Sequence, residues 1–481
     1  MRLINEDGEI AHPAQWNAPA KAKLWLYNLH YFDDLAAPAD AARRDMQREL
    51  VARWIAENPP GKGNGWEPYP VSLRIANWVK WALAGETLQP AWLDSLALQT
   101  RWLADRLEWH LLGNHLLANA KALVLGGLFF SGTEAEQWLR AGRSIYAKEL
   151  PEQILADGGH FELSPMYHAI ILEDLLDLIN AGRVYGMDEQ FTALHQITAA
   201  MRNHLGAMTH PDGGLSFFND AAFGIAATRA DLEAYATRLR MADVSGPGEG
   251  LHRLAASGYV RVNRGAMAAI LDLAAVGPDY LPGHAHADTL SFELSLDAER
   301  IIVNGGTSTY APGQVREAER ATAAHSTVEI ADQNSSEVWA SFRVARRARV
   351  QGVSIDNGGS GAITVRAAHD GYRRLPGRPM HHREWHFEGT ALTIVDTVAP
   401  LSGIEALSRL HLGEGVIAEA DPAGRSGTLM TRSARWLRWT ASSPVRIQQT
   451  QRSPQFGRRV PAETLVAALK DGFLSITLDW T

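Results

Sequence analysis

Cysteine is absent from this chain of 481 residues. Its absence excludes disulfide bonds, zinc–thiolate sites, iron–sulfur clusters and cysteine nucleophiles. Positive charge is also in short supply, because 46 Lys and Arg stand against 54 Asp and Glu, which gives a formal net charge of −8. We therefore expect no attraction of the whole molecule to nucleic acid or to an anionic membrane. A polyanionic ligand has to be held by local positive charge.

Long uncharged apolar runs are missing as well, which predicts a chain without a membrane span. The start, MRLINEDGEI, lacks the basic segment and apolar run of a secretory signal. A cytoplasmic location is therefore expected for the chain as it stands, and a periplasmic or secreted one if a leader has been removed. Tryptophan, in contrast, is plentiful at 15 residues, which is typical of helix packing and of grooves that bind flat sugar rings.

The period of the hydrophobic residues changes once along the chain. From Leu24 to about Arg240 apolar residues recur every three or four positions, as in LEDLLDLINAGRVYG, which predicts helices. From about Gly258 apolar and polar residues alternate, as in YVRVNR, TLSFELSLD and LTIVDTV, which predicts a large antiparallel sandwich. The small, flexible residues 242–250 between the two patterns predict a linker. We therefore expect two domains, a helical one at residues 1–245 and a sandwich at residues 251–481.

The densest polar motif is GHAHAD, which runs into the strand pattern TLSFELSL. His284 and His286 share the parity of the apolar residues of that strand and are expected to project side by side from its start. Two imidazoles at this spacing suit a divalent metal, or one can bind metal while the other moves protons. The motif alone favours two solvated histidines in a turn equally well. Asn304 and His325 stand at other strand ends, where each alone fits a turn or edge residue.

Two further motifs interrupt the helical pattern. In GNH, Asn114 and His115 form a polar pair inside an apolar helix, so they need either partners or a cavity. In ELSPMYH, Ser164 predicts a helix cap and Pro165 the first helical residue, which places Tyr167 in the first turn. The helix dipole modestly favours ionisation of a hydroxyl at that position. Both motifs can instead have structural roles. Asn114 and His115 can form buried hydrogen bonds that join helices, and the ring of Tyr167 can pack between helices.

Taken together, GNH, SPMYH, GHAHAD and AAHSTVEI resemble the heparinase II/III family of polysaccharide lyases, which includes related alginate lyases. The resemblance covers most of the chain and implies an α+β multidomain fold, an incomplete α/α toroid followed by an antiparallel β-sandwich. It implies that Asn114 and His115 hold a uronate carboxylate and that Tyr167 and His284 are catalytic. It also implies a structural divalent metal, zinc foremost, with the ligands His286, Asn304 and His325. Relatives usually carry Asp in place of Asn304, and a neutral amide weakens such a site.

The implied reaction is β-elimination on an acidic polysaccharide or oligosaccharide. A base removes the C5 proton of a uronate, and the C4 oxygen leaves, which produces a 4,5 double bond. Because the neighbouring carboxylate makes that proton poorly acidic, the site must neutralise or strongly hydrogen-bond it. Tyr167 is the expected acid, whereas the base is His284 or Tyr167, depending on the face that carries the proton.

An acidic sugar chain can be bound by arginine, whose guanidinium donates two hydrogen bonds to one carboxylate or sulfate, and by aromatic rings that stack on the sugars. The candidates for substrate binding are Trp66, Tyr69, Arg74, Tyr372, His382 and Arg383. Helix packing is the alternative for the first two. The negative net charge favours a carboxylated polymer with little or no sulfate over heparin itself.

Two other functions compete with a lyase. A glycoside hydrolase on a similar helical toroid needs two opposed carboxylates, for which Asp157, Glu162 and Asp212 are available. A carbohydrate-binding homologue without activity is the third hypothesis, and the departure at Asn304 supports it.

Overall fold

The structure is a computed structural model that describes residues 1–358, 361–401 and 403–481. It contains two compact units. The helical unit comprises Met1–Ile154 and Ile171–Thr198, and the sheet unit comprises Leu155–Ile170 and Ala199–Thr481. The domain boundaries expected from the sequence, 1–245 and 251–481, stay a prediction. In the described ranges, no helix has both the length and the apolar composition needed to cross a bilayer.

The first half of the chain forms the helices that its three-to-four period predicts. A short hairpin of β1 (Arg2–Leu3) and β2 (Glu6–Asp7) precedes them. The helices are α1 (Lys23–Tyr31), α2 (Ala41–Glu57), α3 (Pro68–Leu83), α4 (Pro90–Ala104), α5 (Gly113–Phe129), α6 (Thr133–Gln153), α7 (Pro165–Val184), α8 (Thr192–Ala207) and α9 (Arg229–Arg238). The start of α5 corrects one expectation, because the GNH motif begins a helix and does not interrupt one. Leu112, just before it, has a left-handed φ of 57° that ends the preceding turn.

Tryptophan side chains form the core between α1, α2 and α3. Trp54 is fully buried and meets Trp78 edge to face, with ring centroids 6.0 Å apart. The ring of Trp66 lies 5.8 Å from that of Trp54 between centroids, and the Arg74 guanidinium stacks 3.8 Å from the Trp54 ring centroid. Most tryptophans of this half are therefore used for helix packing, because edge-to-face rings and a stacked cation fill the space between helices. Trp109, which is 48% exposed, is an exception.

The second half forms the antiparallel strands that the period of two predicts. One sheet has the order β19-β20-β15-β7-β6-β5-β4-β3, with β8 paired to β15. Its strands are β3 (Gly250–Leu254), β4 (Tyr259–Arg264), β5 (Met267–Asp272), β6 (Phe292–Leu296), β7 (Glu299–Val303), β8 (Val328–Ile330), β15 (Ala406–Leu412), β19 (Val445–Gln455) and β20 (Arg458–Ala468).

The other large sheet has the order β11-β12-β13-β14-β21-β18-β17-β16. Its strands are β11 (Val350–Asn357), β12 (Ile363–His369), β13 (Met380–Glu388), β14 (Ala391–Ala399), β16 (Ile417–Ala420), β17 (Ser426–Met430), β18 (Trp436–Ala441) and β21 (Phe473–Asp479). A separate hairpin pairs β9 (Glu337–Trp339) with β10 (Arg343–Ala345). Alternate residues of β13 and β14 are buried, and Trp385 stands opposite Ile394 in one shared core with Phe292 of the first sheet.

Two irregular segments of the sheet unit bind each other and carry the candidate site. The backbone N–H of Asp220 donates to the carbonyl of His284 at 3.0 Å. The N–H of His286 donates to Asn219 Oδ1 at 3.1 Å, and the N–H of Asn219 donates to Asp288 Oδ2 at 3.0 Å. The histidines therefore do not project from a strand, because β6 begins only at Phe292 and this preceding segment is fixed by hydrogen bonds to residues 219 and 220.

Candidate active site

Tyr167 lies in the first turn of α7, as the sequence predicts. Pro165 is the first helical residue, and Ser164 Oγ accepts the backbone N–H of Tyr167 at 3.2 Å. A side-chain oxygen in this position satisfies a donor that the helix leaves unpaired. The same hydroxyl donates to the backbone carbonyl of Asp220 at 2.5 Å. The start of α7 is thereby tied to the segment that holds His284.

Aromatic side chains surround the two predicted catalytic residues. The rings of Tyr167 and His284 lie 4.0 Å apart between centroids, tilted by 33°. The hydroxyl of Tyr310 is 3.0 Å from that of Tyr167, so the two phenols share a hydrogen bond. Phe342 packs edge-on against His284 at 5.8 Å and Tyr310 at 5.3 Å, yet 43% of its area stays exposed. We call these four residues the aromatic cluster.

Asp220 is the charged centre beside this cluster. Its carboxylate lies 2.9 Å from His284 Nδ1 and 2.9 Å from His286 Nε2, and Thr307 Oγ1 is 3.2 Å away. Arg316, from the short helix α10 (Gln314–Arg320), donates to both carboxylate oxygens, at 2.8 Å for the Oδ2 contact. Burial alone would raise the pKa of Asp220, but Arg316 and the two imidazoles hold it well below its usual range.

A second buried carboxylate lies on the opposite side of the His284 ring. Glu162 Oε2 is 3.9 Å from His284 Nε2 and 4.0 Å from His160 Nδ1. The imidazole of His284 is thus bracketed by Asp220 at one nitrogen and Glu162 at the other. Two neighbouring carboxylates stabilise an imidazolium, which is the form that a histidine base reaches after it accepts a proton.

His286 and His325, two of the predicted metal ligands, are brought together by the fold. His286 Nδ1 and His325 Nε2 are 3.3 Å apart, and burial lowers the pKa of His286 to about 4 and that of His325 to about 3. The amide of Asn304 is engaged elsewhere, because Oδ1 accepts the N–H of Ser326 at 3.0 Å and Nδ2 donates to Ser291 Oγ at 3.2 Å.

These donors do not fit a complete metal site. A structural divalent ion usually takes four or more ligands, whereas here two neutral imidazoles converge without a carboxylate. Across the described residues, no three His, Cys, Asp or Glu side chains are grouped so as to hold a metal. Zinc binding at His286, Asn304 and His325 stays a prediction.

In the helical unit, His115 is part of a hydrogen-bonded network. Its Nδ1 is 3.0 Å from Glu108 Oε1, and the amide of Asn119 donates to Glu108 Oε2 at 3.0 Å. The ring of Tyr69 lies 4.4 Å from that of His115, so this predicted sugar contact packs on the imidazole. Asn114 is 4% exposed. The binding of a uronate carboxylate by Asn114 and His115 stays a prediction.

Two predicted sugar contacts in the helical unit are buried, which corrects their assignment. Trp66 is 4% exposed, and its indole N–H donates to the carbonyl of Asn58 at 3.1 Å. Arg74 is fully buried and donates to the carbonyls of His30 at 3.1 Å and Gly65 at 2.8 Å. Both side chains donate their hydrogen bonds to carbonyls of the helical core, so neither is available to contact a sugar.

The same correction applies to two residues of the sheet unit. Tyr372 is fully buried, and its hydroxyl donates to the carbonyl of Val328 at 2.7 Å. Arg383 is 1% exposed and forms a two-pronged ion pair with Asp396 at 2.7 and 2.8 Å. A buried guanidinium needs such a partner, which fixes it inside the sandwich. His382, which is next to Arg383 on β13, points the other way and is exposed.

Three residues of the site, Asp220, Tyr310 and Arg316, were not predicted from the sequence. None of them lies in a recognisable motif, and Asp220 precedes its partner His284 by 64 positions. The apolar stretch LSFFNDAAF gives one indication of Asp220, because a carboxylate inside such a stretch is expected to be buried. A buried carboxylate rarely lacks a charged partner. The sequence does not reveal that Arg316 is this partner, because their pairing depends on the tertiary fold.

Comparison with protein families matches both halves of the chain. The model described as "Heparinase II/III N-terminus" matches residues 15–239, and "Heparinase II/III-like, C-terminal" matches residues 246–477. A heparin-sulfate lyase of Pedobacter heparinus is 24% identical over 311 residues, which are 58% of this chain and 47% of that protein. FtsZ-localized protein C of Caulobacter vibrioides is 27% identical over 382 residues, 75% of this chain and 62% of that protein. The chain therefore spans between about half and just under two thirds of these curated relatives.

The fold also matches that of a solved structure. The crystal structure of heparinase III superimposes on this chain with a TM-score of 0.76 at 17% sequence identity. The superposition covers 99% of this chain and 78% of the heparinase III chain. This likeness confirms the predicted fold class, a helical toroid region followed by an antiparallel sandwich.

Proposed function

Because the chain belongs to the heparinase II/III-like family, we propose that it is a polysaccharide lyase that cleaves a uronate-containing glycosaminoglycan by β-elimination. The observation that carries the proposal is the contact between Tyr167 and His284, with ring centroids 4.0 Å apart. It sets a phenol and an imidazole side by side, and both groups can transfer protons. The similarity to a heparin-sulfate lyase supports a glycosaminoglycan as the substrate class.

In the proposed reaction His284 removes the C5 proton and Tyr167 protonates the departing C4 oxygen. The hydrogen bond between the hydroxyls of Tyr310 and Tyr167, at 3.0 Å, orients the hydroxyl of Tyr167 for that transfer. His284 becomes an imidazolium, which Asp220 and Glu162 stabilise from its two sides. The tyrosinate and the imidazolium return to their starting forms by exchanging one proton, so the enzyme consumes no water and no cofactor.

The negative charge that develops next to the substrate carboxylate also needs a partner. We propose Asn114 and His115 for this role, on the strength of the family resemblance of the GNH motif. An amide and an imidazole can both donate hydrogen bonds to a carboxylate. Loss of either side chain is expected to lower turnover, and removal of both to abolish it.

Nothing favours the glycoside hydrolase hypothesis. Asp157 Oδ2 accepts the N–H groups of Ala256 at 2.9 Å and Ser257 at 2.7 Å, and Asp212 is ion-paired with Arg300 at 2.7 Å. These carboxylates hold loops together. The third candidate, Glu162, lies beside His284 in the candidate site. Hydrolysis requires two opposed acids, and every pair drawn from these three carboxylates includes Asp157 or Asp212, which are engaged in these structural contacts.

The proposal is tested by incubating the protein with a panel of uronate polymers. The panel contains heparan sulfate, its unsulfated precursor polymer, heparin, chondroitin sulfate, hyaluronan and alginate. A lyase produces ultraviolet absorbance from the new double bond, with one new reducing end for each bond. We expect this result with a glycosaminoglycan of low sulfation. New reducing ends without absorbance would replace the proposal with hydrolysis, and neither signal on any polymer would leave a binding protein.

A further inference from the structure

We propose that Asp220 is a positioning residue that holds His284 as the tautomer with its proton on Nδ1. The inference rests on the proposed function, because it assigns to Asp220 the task of aiming the lone pair of the base. Its structural part, the tautomer itself, can be measured in the protein without any substrate.

The position of the Asp220 carboxylate is fixed from several sides. The side chain is fully buried, and two N–H groups of Arg316 bind its two oxygens. Arg316 is itself fully buried and is held by a bond from Nε to the carbonyl of Ser341 at 3.0 Å. On the backbone, the N–H of Asp220 binds the carbonyl of His284, and the carbonyl of Asp220 accepts from Ser164. The carboxylate is therefore preorganised relative to the imidazole.

The chemistry of the pair then determines the tautomer. An ionised carboxylate only accepts hydrogen bonds, so the 2.9 Å contact with Asp220 Oδ2 requires a proton on Nδ1 of His284. A neutral imidazole carries one proton, which leaves the basic lone pair on Nε2. Asp220 thus sets the tautomer of His284.

A purely structural role makes a different prediction. If Asp220 only ties its loop to Arg316, its replacement lowers stability and leaves the kinetics of the folded fraction unchanged. A positioning role changes kcat with little effect on KM, because the residue does not touch the substrate. The kinetic split and the protonated nitrogen of His284 therefore separate the two roles.

The kinetic test replaces Asp220 by Asn and, as a matched control, Asp288 by Asn. Asp288 is also a buried carboxylate, and it binds the backbone N–H of Asn219 in the same pair of segments without contacting His284. We expect Asp220→Asn to lower kcat by on the order of 10²- to 10⁴-fold with KM within about twofold, which is the range for a base held in the wrong tautomer. Asp288→Asn is expected to keep kcat within about threefold of the parent protein. Equal kcat losses in the two variants, or a kcat loss below about threefold in Asp220→Asn, would overturn the proposal.

The spectroscopic test uses the unmodified full chain labelled with nitrogen-15 in histidine. Long-range nitrogen–proton correlations at mildly alkaline pH distinguish the two tautomers, and the signals of His284 are assigned by their loss in His284→Gln. We expect the proton on Nδ1. A proton on Nε2 would overturn the proposal even if Asp220→Asn failed to fold. If instead no polymer were cleaved but the proton were on Nδ1, the proposed function would fail and the positioning of His284 would stand.

Discussion

The phenol ring of Tyr167 lies against the imidazole of His284, with the two centroids 4.0 Å apart and the ring planes tilted by 33°. Each ring is held in place by a different set of contacts. Tyr167 is fixed by the capped start of α7, and His284 by the carboxylate of Asp220. Proton transfer to and from one sugar residue requires this kind of fixed distance between acid and base, because a small misplacement costs much of the rate.

Replacement of Tyr167 by Phe is expected to remove turnover but not the fold. The change deletes one hydroxyl and almost no volume, so kcat is expected to fall by at least about 10²-fold, the lower range for loss of a general acid. The free energy of unfolding should change by no more than about 1 kcal/mol, because one partly buried hydrogen bond to Tyr310 is lost. Initial rates and urea unfolding curves measure the two quantities. Retained activity would contradict the assignment of Tyr167.

Phe342 is expected to contribute to substrate binding. It touches His284, but 43% of its area is exposed, and an exposed ring next to the reacting groups suits a sugar face. Phe342→Ala should raise KM by about tenfold, equivalent to about 1.4 kcal/mol, with a smaller effect on kcat. Trp436→Ala is the matched control, since Trp436 is a comparably exposed aromatic residue of the same unit, on β18. An equal KM in all three proteins would exclude the contact.

Tyr372→Phe separates packing from substrate binding. The hydroxyl of Tyr372 is the donor to the buried carbonyl of Val328, so its loss should lower the free energy of unfolding by about 1–3 kcal/mol. Because the side chain is fully buried, KM should not change. Denaturation by urea and steady-state kinetics test both statements, and a raised KM with unchanged stability would restore Tyr372 as a sugar contact.

Burial of His30 predicts a loss of stability in mild acid. Burial, assisted by Arg74, lowers the pKa of His30 to about 3, below the ordinary value of 6.5. As the pH falls below 6.5, His30 therefore binds a proton in the unfolded chain but not in the folded one. Between pH 6.5 and the folded pKa of His30, each unit by which the pH falls lowers the free energy of unfolding by about 1.4 kcal/mol. Above pH 6.5 His30 causes no such loss of stability.

The measurement compares urea unfolding at about pH 7.5 and about pH 5. His30→Gln should reduce the difference between the two free energies of unfolding by about 2 kcal/mol. His110→Gln, at an exposed position, is the control and should leave the difference unchanged. If both variants behaved like the parent, the proposed link between His30 and acid sensitivity would be wrong.

Local sequence patterns were sufficient where the structure depends on neighbours in the chain. The pattern YVRVNR became β4 with the same boundaries, since alternation of apolar and polar residues is typical of a strand. Ser164 and Pro165 correctly placed the start of α7, because capping involves residues three positions apart.

Patterns failed where burial depends on partners that are distant in the chain. Arginine is usually exposed, so the sequence predicts Arg74 and Arg383 at a surface. Arg383 is buried because Asp396 stands directly opposite it on β14, a pairing that requires the strand register. The carboxylate at the centre of the site, Asp220, was missed for the same reason, since its partner Arg316 lies 96 positions further along the chain.

Product analysis in heavy-oxygen water tests the central claim, β-elimination at Tyr167 and His284, most directly. The protein is incubated with the most readily cleaved glycosaminoglycan in water enriched in the heavy oxygen isotope, and the oligosaccharides are weighed by mass spectrometry at the earliest time that products appear. Elimination breaks the C4–oxygen bond without water, so we predict unsaturated products whose newly formed ends carry no heavy oxygen beyond the slow exchange seen in a product-only control. Saturated products with one heavy oxygen incorporated at each cleaved bond would contradict the account and establish hydrolysis.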